Sequence, residues 1–325
     1  MPDRYESDAL KARIDRALEQ FVAHGKRLRA AFCYWGWRAV GQPDSDALVR
    51  TAASMELVHA AAVVHDDIID NSPVRHGLPT AHVALRRVRH GRPRSRTVAR
   101  DLAMLVGDLL VTLAGHMFVT GGLPAAHVTR ARPLWADLAR DLVAGECLEI
   151  LRTGTAPDTD ASLKVIRYKT AKYTVEQPLL IGGALAGAGS RLREAFSAYG
   201  LPLGEAFQLR DDLLGLFGVL ARTGKANLDD LRSRRPTVLL AETWRVAGPA
   251  EREQLRSVLG RRALGAKELD EVRDVMSRLG APARIENLIS ARVEQAIRAL
   301  NGIGLPTHVV RALVDLSRTA TDRRH

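Results

Sequence analysis

The chain has 325 residues, 46% of them hydrophobic and 26% charged, an ordinary globular balance with ample material for a core. Its formal net charge of +11 points to an anionic partner, whether nucleic acid, acidic lipid or a phosphorylated small molecule, without choosing among them. Two cysteines, Cys33 and Cys147, are too few and too far apart for a disulfide framework or a zinc site, which suits a reducing cytoplasm.

The N-terminal stretch MPDRYESDALKARIDRAL is charged and has no apolar core, so it does not read as a signal peptide. Helical periodicity dominates thereafter, and no segment alternates with period two over a strand's length. Helices are predicted at 7–24, 26–40, 45–70, 98–120, 127–152, 161–187, 191–220, 236–247, 251–260, 267–279, 283–301 and 306–321. Punctuation such as GQPDSD, TGGLP and TGTAPDTD separates them, with no linker, low-complexity tract or repeat. The expectation is one all-α domain over 1–325 with a helix-bundle core. The most apolar segments, such as Pro178 to Gly189, fall short of the roughly 18 residues of a membrane span, so no transmembrane segment is expected.

The chemistry-bearing residues follow in chain order. GKRLR, residues 25–29, places Lys26 and Arg29 three apart at a helix start. The next helix ends in VVHDDIID, where Asp66 and Asp70 share a face and Asp67 lies on its flank. A buried carboxylate without a partner is costly, so such groups are paired or bound to metal. Carboxylates one turn apart can hold Mg²⁺ while water and phosphate oxygens complete its octahedron. The pentapeptide alone also suits a solvated helix face. His59, two turns before Asp66 on the same face, reads by itself as a core histidine. Arg75 and His76 follow in a short loop.

RRVRHGRPRSR, residues 86–96, is the strongest basic run. Its plain reading is a solvated loop, and its other reading is a contact with phosphates or anionic lipid. It carries no interleaved aromatics and no nucleic-acid motif, so no nucleic-acid partner is expected. YKTAKYT then supplies Lys169 and Thr170, and RTGK supplies Lys225. FQLRDDLLG, residues 207–215, sets Asp211 and Asp212 in an apolar helix with Gln208 one turn earlier. Two acidic pairs facing each other across a bundle make a metal site, and they repel unless cations lie between them. Singly, each basic residue is a surface charge. Together with the carboxylates they describe a site for a diphosphate held by Mg²⁺ and basic side chains.

Taken in order, GKRLR, ELVH, DDIID followed by RHGLPTAH, GDLL, YKTAKYTVEQPL, FQLRDD and TGK resemble the trans-isoprenyl diphosphate synthases, and within them the bacterial geranylgeranyl-type enzymes. The resemblance spans nearly the whole chain. It implies an isoprenoid synthase-type helix bundle around a central apolar cavity, in a cytoplasmic homodimer. It implies that Asp66, Asp70 and Asp211 ligate three Mg²⁺ ions on an allylic diphosphate, with Asp67 and Asp212 close behind. Arg75, Lys169 and Lys225 then contact that diphosphate, and Lys26, Arg29, His59 and His76 hold isopentenyl diphosphate. Thr170 and Gln208 lie near the reacting carbon. The implied reaction ionises the allylic C–O bond, adds the isopentenyl double bond to the cation and returns a proton to the departed diphosphate.

Three positions depart from the family pattern. Gly215 stands where a third aspartate is usual, His76 where an arginine is, and Val219 where an aspartate often follows FG. In the family, the residues four and five before the first aspartate help set the cavity floor. Here they are Ala62 and Ala61, about 6 and 7.5 Å from Asp66 at ~1.5 Å per residue. Two alanines leave the cavity open, which implies a product of twenty carbons or longer, with Met117 and Phe118 as a deeper floor. A terpene cyclase of the same fold needs no second diphosphate pocket, and a regulatory subunit tends to lose first-motif carboxylates. Lys26, Arg29, His59 and an intact DDIID therefore favour elongation.

Overall fold

The computed structural model describes residues 25–75, 77–86, 94–218, 231, 235–261 and 264–322. These residues are almost entirely helical, as the periodicity predicts. In chain order come α1 (Leu28–Arg38), α2 (Asp46–Ile69), β1 (Val74–Arg75), β2 (Leu78–Pro79), α3 (Ala81–Ala84), α4 (Ser95–Thr120) and α5 (Ala125–Arg152). Then follow α6 (Thr159–Ile166), a π-helical stretch (Arg167–Glu176), α7 (Gln177–Ala186) and α8 (Ser190–Phe217). The chain closes with α9 (Val238–Val246), α10 (Pro249–Leu259), α11 (Ala266–Arg278), α12 (Ala281–Ala299) and α13 (Thr307–Thr321). The predicted helix 7–24 lies outside the described residues.

The chain divides into two compact units, Met1–Ala30 with Ser45–Pro124, and Ala31–Asp44 with Ala125–His325. In the first unit, α2 starts at an N-cap serine, Ser45, whose side chain accepts from the Leu48 amide. Leu57, Ala60, Ala61, Val64 and Ile68 form an i, i+3, i+4, i+7, i+11 stripe on α2. That stripe packs on Ala99, Ala103, Val106 and Leu110 of α4, with Ala81 and Leu85 beside them. The small side chains let the two helices approach closely. His59, Ala62, Asp66 and Asp70 occupy another face of α2 and are half-buried.

By length and composition alone α2 and α4 are long and apolar enough to cross a membrane, a test that the core helices of soluble proteins also pass, and neither is clearly transmembrane. Isolated charges such as Asp108 interrupt their apolar runs without lowering the mean hydropathy much. The mutual packing of α2 and α4 accounts for part of that apolarity.

In the second unit, Leu209, Leu213 and Leu216 of α8 pack with Val238 and Leu239 of α9, Val272 and Val275 of α11, and Ile285 and Ile289 of α12. Polar clamps fix how α8 is rotated. The Tyr199 hydroxyl donates to the Leu313 carbonyl at 2.8 Å. Arg210 donates to Glu286 Oε2 at 2.7 Å and to the Thr321 carbonyl at 3.0 Å. Arg210 points away from the arc of α8 that carries Gln208, Asp211 and Asp212, so these bonds turn that arc to its own side.

The predicted helix 161–187 is broken in character, since its middle ten residues are π-helical. Glycines admit this wider stretch. A Cβ on Gly145 of α5 would lie 2.2 Å from the Lys169 nitrogen, and one on Gly204 of α8 would lie 2.4 Å from the Ala171 Cα. Both neighbours therefore touch the π segment backbone to backbone.

Candidate active site

In the first unit the DDIID motif closes α2. Asp67 is fully buried at 0% exposure, while Asp66 and Asp70 are half-buried. The chain then turns through Asn71, at φ 53°, into the short β1–β2 hairpin, with Val74 opposite Pro79 and Arg75 opposite Leu78. Thr80 donates its hydroxyl to the Ser72 carbonyl at 2.7 Å, which pins the hairpin base to the turn. The hairpin delivers Arg75 onto the aspartates. Its Nε donates to Asp67 Oδ1 at 2.8 Å and its Nη2 to Asp66 Oδ2 at 3.0 Å. A guanidinium bridging two carboxylates offsets the cost of burying Asp67.

The GKRLR segment is tied to the same helix. Glu56, buried in α2, accepts from the Ala30 amide at 3.0 Å and so caps the first turn of α1. Glu56 lies one turn before His59, which sets the Lys26–Arg29 segment beside the His59 turn. Arg29 is buried, His59 half-buried and Lys26 exposed.

In the second unit a hydrogen-bonded chain joins the π segment to α8. Thr170 donates to Gln208 Oε1 at 2.8 Å, and Gln208 Nε2 donates to Asp212 Oδ1 at 2.8 Å. Asp211 is half-buried and Asp212 buried. Lys169 reaches two carboxylates of α5, Glu146 at 2.8 Å and Glu149 at 2.5 Å. Arg235 also lies 3.4 Å from Glu149. Next to this group, Lys172 binds Asp141 at 2.7 Å.

Glu146 and Glu149 escaped the sequence reading. Their signal is the one that exposes Asp66 and Asp70, namely acids one turn apart, here in GECLEI just after the tightly packed Gly145. His76, Lys225 and Val219 lie outside the described residues. Gly215 is half-buried on α8, one turn beyond Asp211. Ala61 is 1% exposed in the α2–α4 stripe, whereas Ala62 lies on the Asp66 face. Phe118 is buried and Met117 half-buried in α4.

The donor set decides which metal suits these groups. Each unit offers carboxylate oxygens, and neither DDIID nor the Asp211 and Glu146 groups bring sulfur or imidazole close by in a ligating pattern among the described residues. Oxygen-only donors fit a hard cation such as Mg²⁺. Arg75 already shows that Asp66 and Asp67 accept positive charge at hydrogen-bond distance.

Comparison with known proteins agrees with this chemistry. The polyprenyl synthetase family model matches residues 11–276. The chain is 32% identical over 259 residues to the geranylfarnesyl diphosphate synthase of Aeropyrum pernix, covering 77% of each. It is 31% identical over 306 residues to the (2E,6E)-farnesyl diphosphate synthase of Mycobacterium bovis, covering 92% of this chain and 80% of that protein. In structure it is similar to the geranylgeranyl pyrophosphate synthase of Corynebacterium glutamicum, solved with isoprenyl diphosphate and magnesium. The TM-score is 0.91 at 31% identity, over 96% of this chain and 90% of that one.

Proposed function

The chain belongs to the polyprenyl synthetase family and is a trans-prenyltransferase, and from that premise we propose that it condenses isopentenyl diphosphate with an allylic diphosphate to give a product of twenty carbons or longer. The observation that carries this reading is the pairing of Arg75 with Asp66 and Asp67 at the end of α2. The end of α2 presents both carboxylates for a cation, and the hairpin that follows brings a guanidinium beside them for a phosphate. The two compact units then work as one catalytic domain.

In this reading Asp66, Asp70 and Asp211 hold Mg²⁺, three ions in all, with Asp67 and Asp212 supporting them. Bound magnesium stabilises charge on the leaving diphosphate. Arg75, Lys169 and Lys225 add positive charge around the same oxygens. Lys169 is poised for this by Glu146 and Glu149, which hold its ammonium at a fixed place on the π segment. The Thr170 hydroxyl donates to Gln208 Oε1, so the hydroxyl's lone pairs and the second lone pair of that carbonyl remain to face a developing allylic cation. The Gln208–Asp212 bond fixes the orientation of that amide.

Lys26, Arg29 and His59, with His76, bind the diphosphate of isopentenyl diphosphate. A histidine at position 76 with an ordinary pKa near ~6.5 loses charge as pH rises through neutrality, which weakens this pocket. Ala62 leaves the Asp66 face of α2 open below the reacting carbon, which supports a long product. Met117 and Phe118 act as a deeper stop.

The protein acts in the cytoplasm as a homodimer. Exposed apolar stripes support the dimer. On α4 these are Leu105, Leu109 and Leu113, and on α5 they are Val143, Cys147, Ile150 and Leu151, with Leu151 76% exposed. Burying such stripes against a second copy is favourable. The reaction is tested by incorporation of labelled isopentenyl diphosphate in Mg²⁺, with Asp66→Asn alongside. Incorporation by the wild type and its near-complete loss in the variant support the proposal, and a fully active variant overturns it.

A further inference from the structure

The basic run that the sequence left open as a loop or a phosphate contact has a counterpart in the first unit. Between the end of α2 and the first turns of α4 lies a cavity of about 460 Å³. Arg86, Arg96 and Arg100 line it, opposed by one carboxylate among the described residues, Asp101. Arg86 carries a buried Nε that makes no hydrogen bond among the described residues. Arg96 and Arg100 are exposed and solvated while Arg86 is half-buried, so an anion entering from solvent would meet three guanidinium groups at once. Guanidinium forks match the oxygens of phosphate groups closely.

Further observations narrow the ligand. Asn71 and Thr97 add neutral polar groups to the wall, and Ile68 and Met104 give it an apolar end. The cavity thus offers a cationic part and an adjoining hydrocarbon part. Its lining residue Ile68 belongs to the α4-facing stripe of α2, well round the helix from Asp66. This is a different place from the carboxylate face. Close by, His82 is buried, and burial together with the charges of Arg86 and Arg100 pushes its pKa down. The positive field of the arginines therefore reaches into the packed wall.

We propose that this cavity is a further diphosphate-binding site, a third beside the allylic and isopentenyl pockets of the proposed reaction, which takes inorganic diphosphate or the headgroup of a prenyl diphosphate on Arg86, Arg96 and Arg100. Ile68 lies within the DDIID turn and Asn71 follows it, so an occupant rests against the segment that carries Asp66, Asp67 and Asp70. The choice of diphosphate rests on family membership and not on product length.

The test is calorimetric titration of the full-length protein with inorganic diphosphate and, separately, with farnesyl diphosphate, both in excess chelator to suppress magnesium-dependent binding. The wild type is expected to bind two diphosphates per chain, one in the Lys26–Arg29 pocket and one here. Arg96→Gln with Arg100→Gln should weaken one of the two binding events at least about tenfold and leave the other, while Lys267→Gln with Arg311→Gln, exposed lysine and arginine elsewhere, should weaken neither. Elongation without added diphosphate should be unchanged in the Arg96/Arg100 variant. Tighter binding of the prenyl compound, lost in that variant, adds the hydrocarbon tail to the site, and equal binding assigns the diphosphate alone. Unaltered affinity in the Arg96/Arg100 variant, or an equal fall in both variants, overturns the proposal. Loss of elongation in the Arg96/Arg100 variant also overturns it, by placing these arginines in the reaction itself. Chelated binding does not depend on turnover, so failure of this site and failure of the elongation reading give different results.

Discussion

Replacing Gly145 with alanine sets a methyl group against the π segment at the point where that segment carries Lys169. The added Cβ would lie 2.2 Å from the Lys169 nitrogen and 2.5 Å from its Cα, against 3.4 Å or more for ordinary contact. Something must yield by about 1 Å, and the obstacle is backbone, so either α5 or the π segment shifts. Overpacking of this kind costs ~1–3 kcal/mol in stability. A displacement of ~1 Å at groups that position a substrate can cost ~10²-fold in rate. Gly36 on α1 gives the control, because its Cβ would lie 2.2 Å from the Leu179 carbonyl oxygen of α7, an equally hard obstacle with no candidate site residue in it. Both variants should lose a few degrees of melting temperature, at roughly 2–4 °C per kcal/mol for units of this size. Steady-state incorporation of isopentenyl diphosphate, measured well below either melting point, should fall about 100-fold in Gly145→Ala alone. Equal rates in the two variants would refute a positioning role for the π segment.

Further predictions rest on other parts of the molecule. Ala62→Phe should shorten the product while leaving the melting temperature within about a degree, whereas Ala61→Phe should destabilise the α2–α4 packing by ~1–3 kcal/mol; product chromatography and thermal melts separate the two. Glu176 is buried, and burial raises its carboxyl pKa from the ordinary 4.5, only partly opposed by the Ser197 hydrogen bond and by Lys172. The folded state thus holds that proton more tightly than the unfolded state, so its contribution is full below about pH 4.5 and is lost as pH rises through the folded pKa. Glu176→Gln should accordingly raise the melting temperature above neutral pH and leave it unchanged near pH 4. The Cys33 thiol is buried and pushed up to about 12, so maleimide should label Cys147 alone in the native protein. Because Cys147 lies in the apolar stripe of α5, its labelling should slow as protein concentration rises and the dimer forms.

The helices were legible because a buried stripe repeats in the sequence. On α2, Leu57, Ala60, Ala61, Val64 and Ile68 make a pattern that needs no structure to see. What that pattern leaves out is rotation. Ala61 and Ala62 are neighbours in sequence yet about 100° apart on the helix, which puts one in the packed core and the other on the carboxylate face. The π stretch was hidden for a related reason. A wider turn changes the hydrogen-bond register, and YKTAKYT shows no apolar stripe from which to read it. Glu146 and Glu149 went unnoticed because only the structure brings Lys169 to them. Arg75 was expected at a phosphate. Its hold on Asp66 and Asp67 depends on the hairpin turn, which a pair of two-residue strands barely announces.

The most direct test of the account is to incubate the purified protein with Mg²⁺, isopentenyl diphosphate and allylic primers of five, ten and fifteen carbons, and to weigh the products by mass spectrometry. The account predicts all-trans diphosphates of twenty carbons or more from at least the fifteen-carbon primer. Products that stop at fifteen carbons would contradict the open Ala62 face. A hydrocarbon or alcohol formed without isopentenyl incorporation would contradict elongation itself.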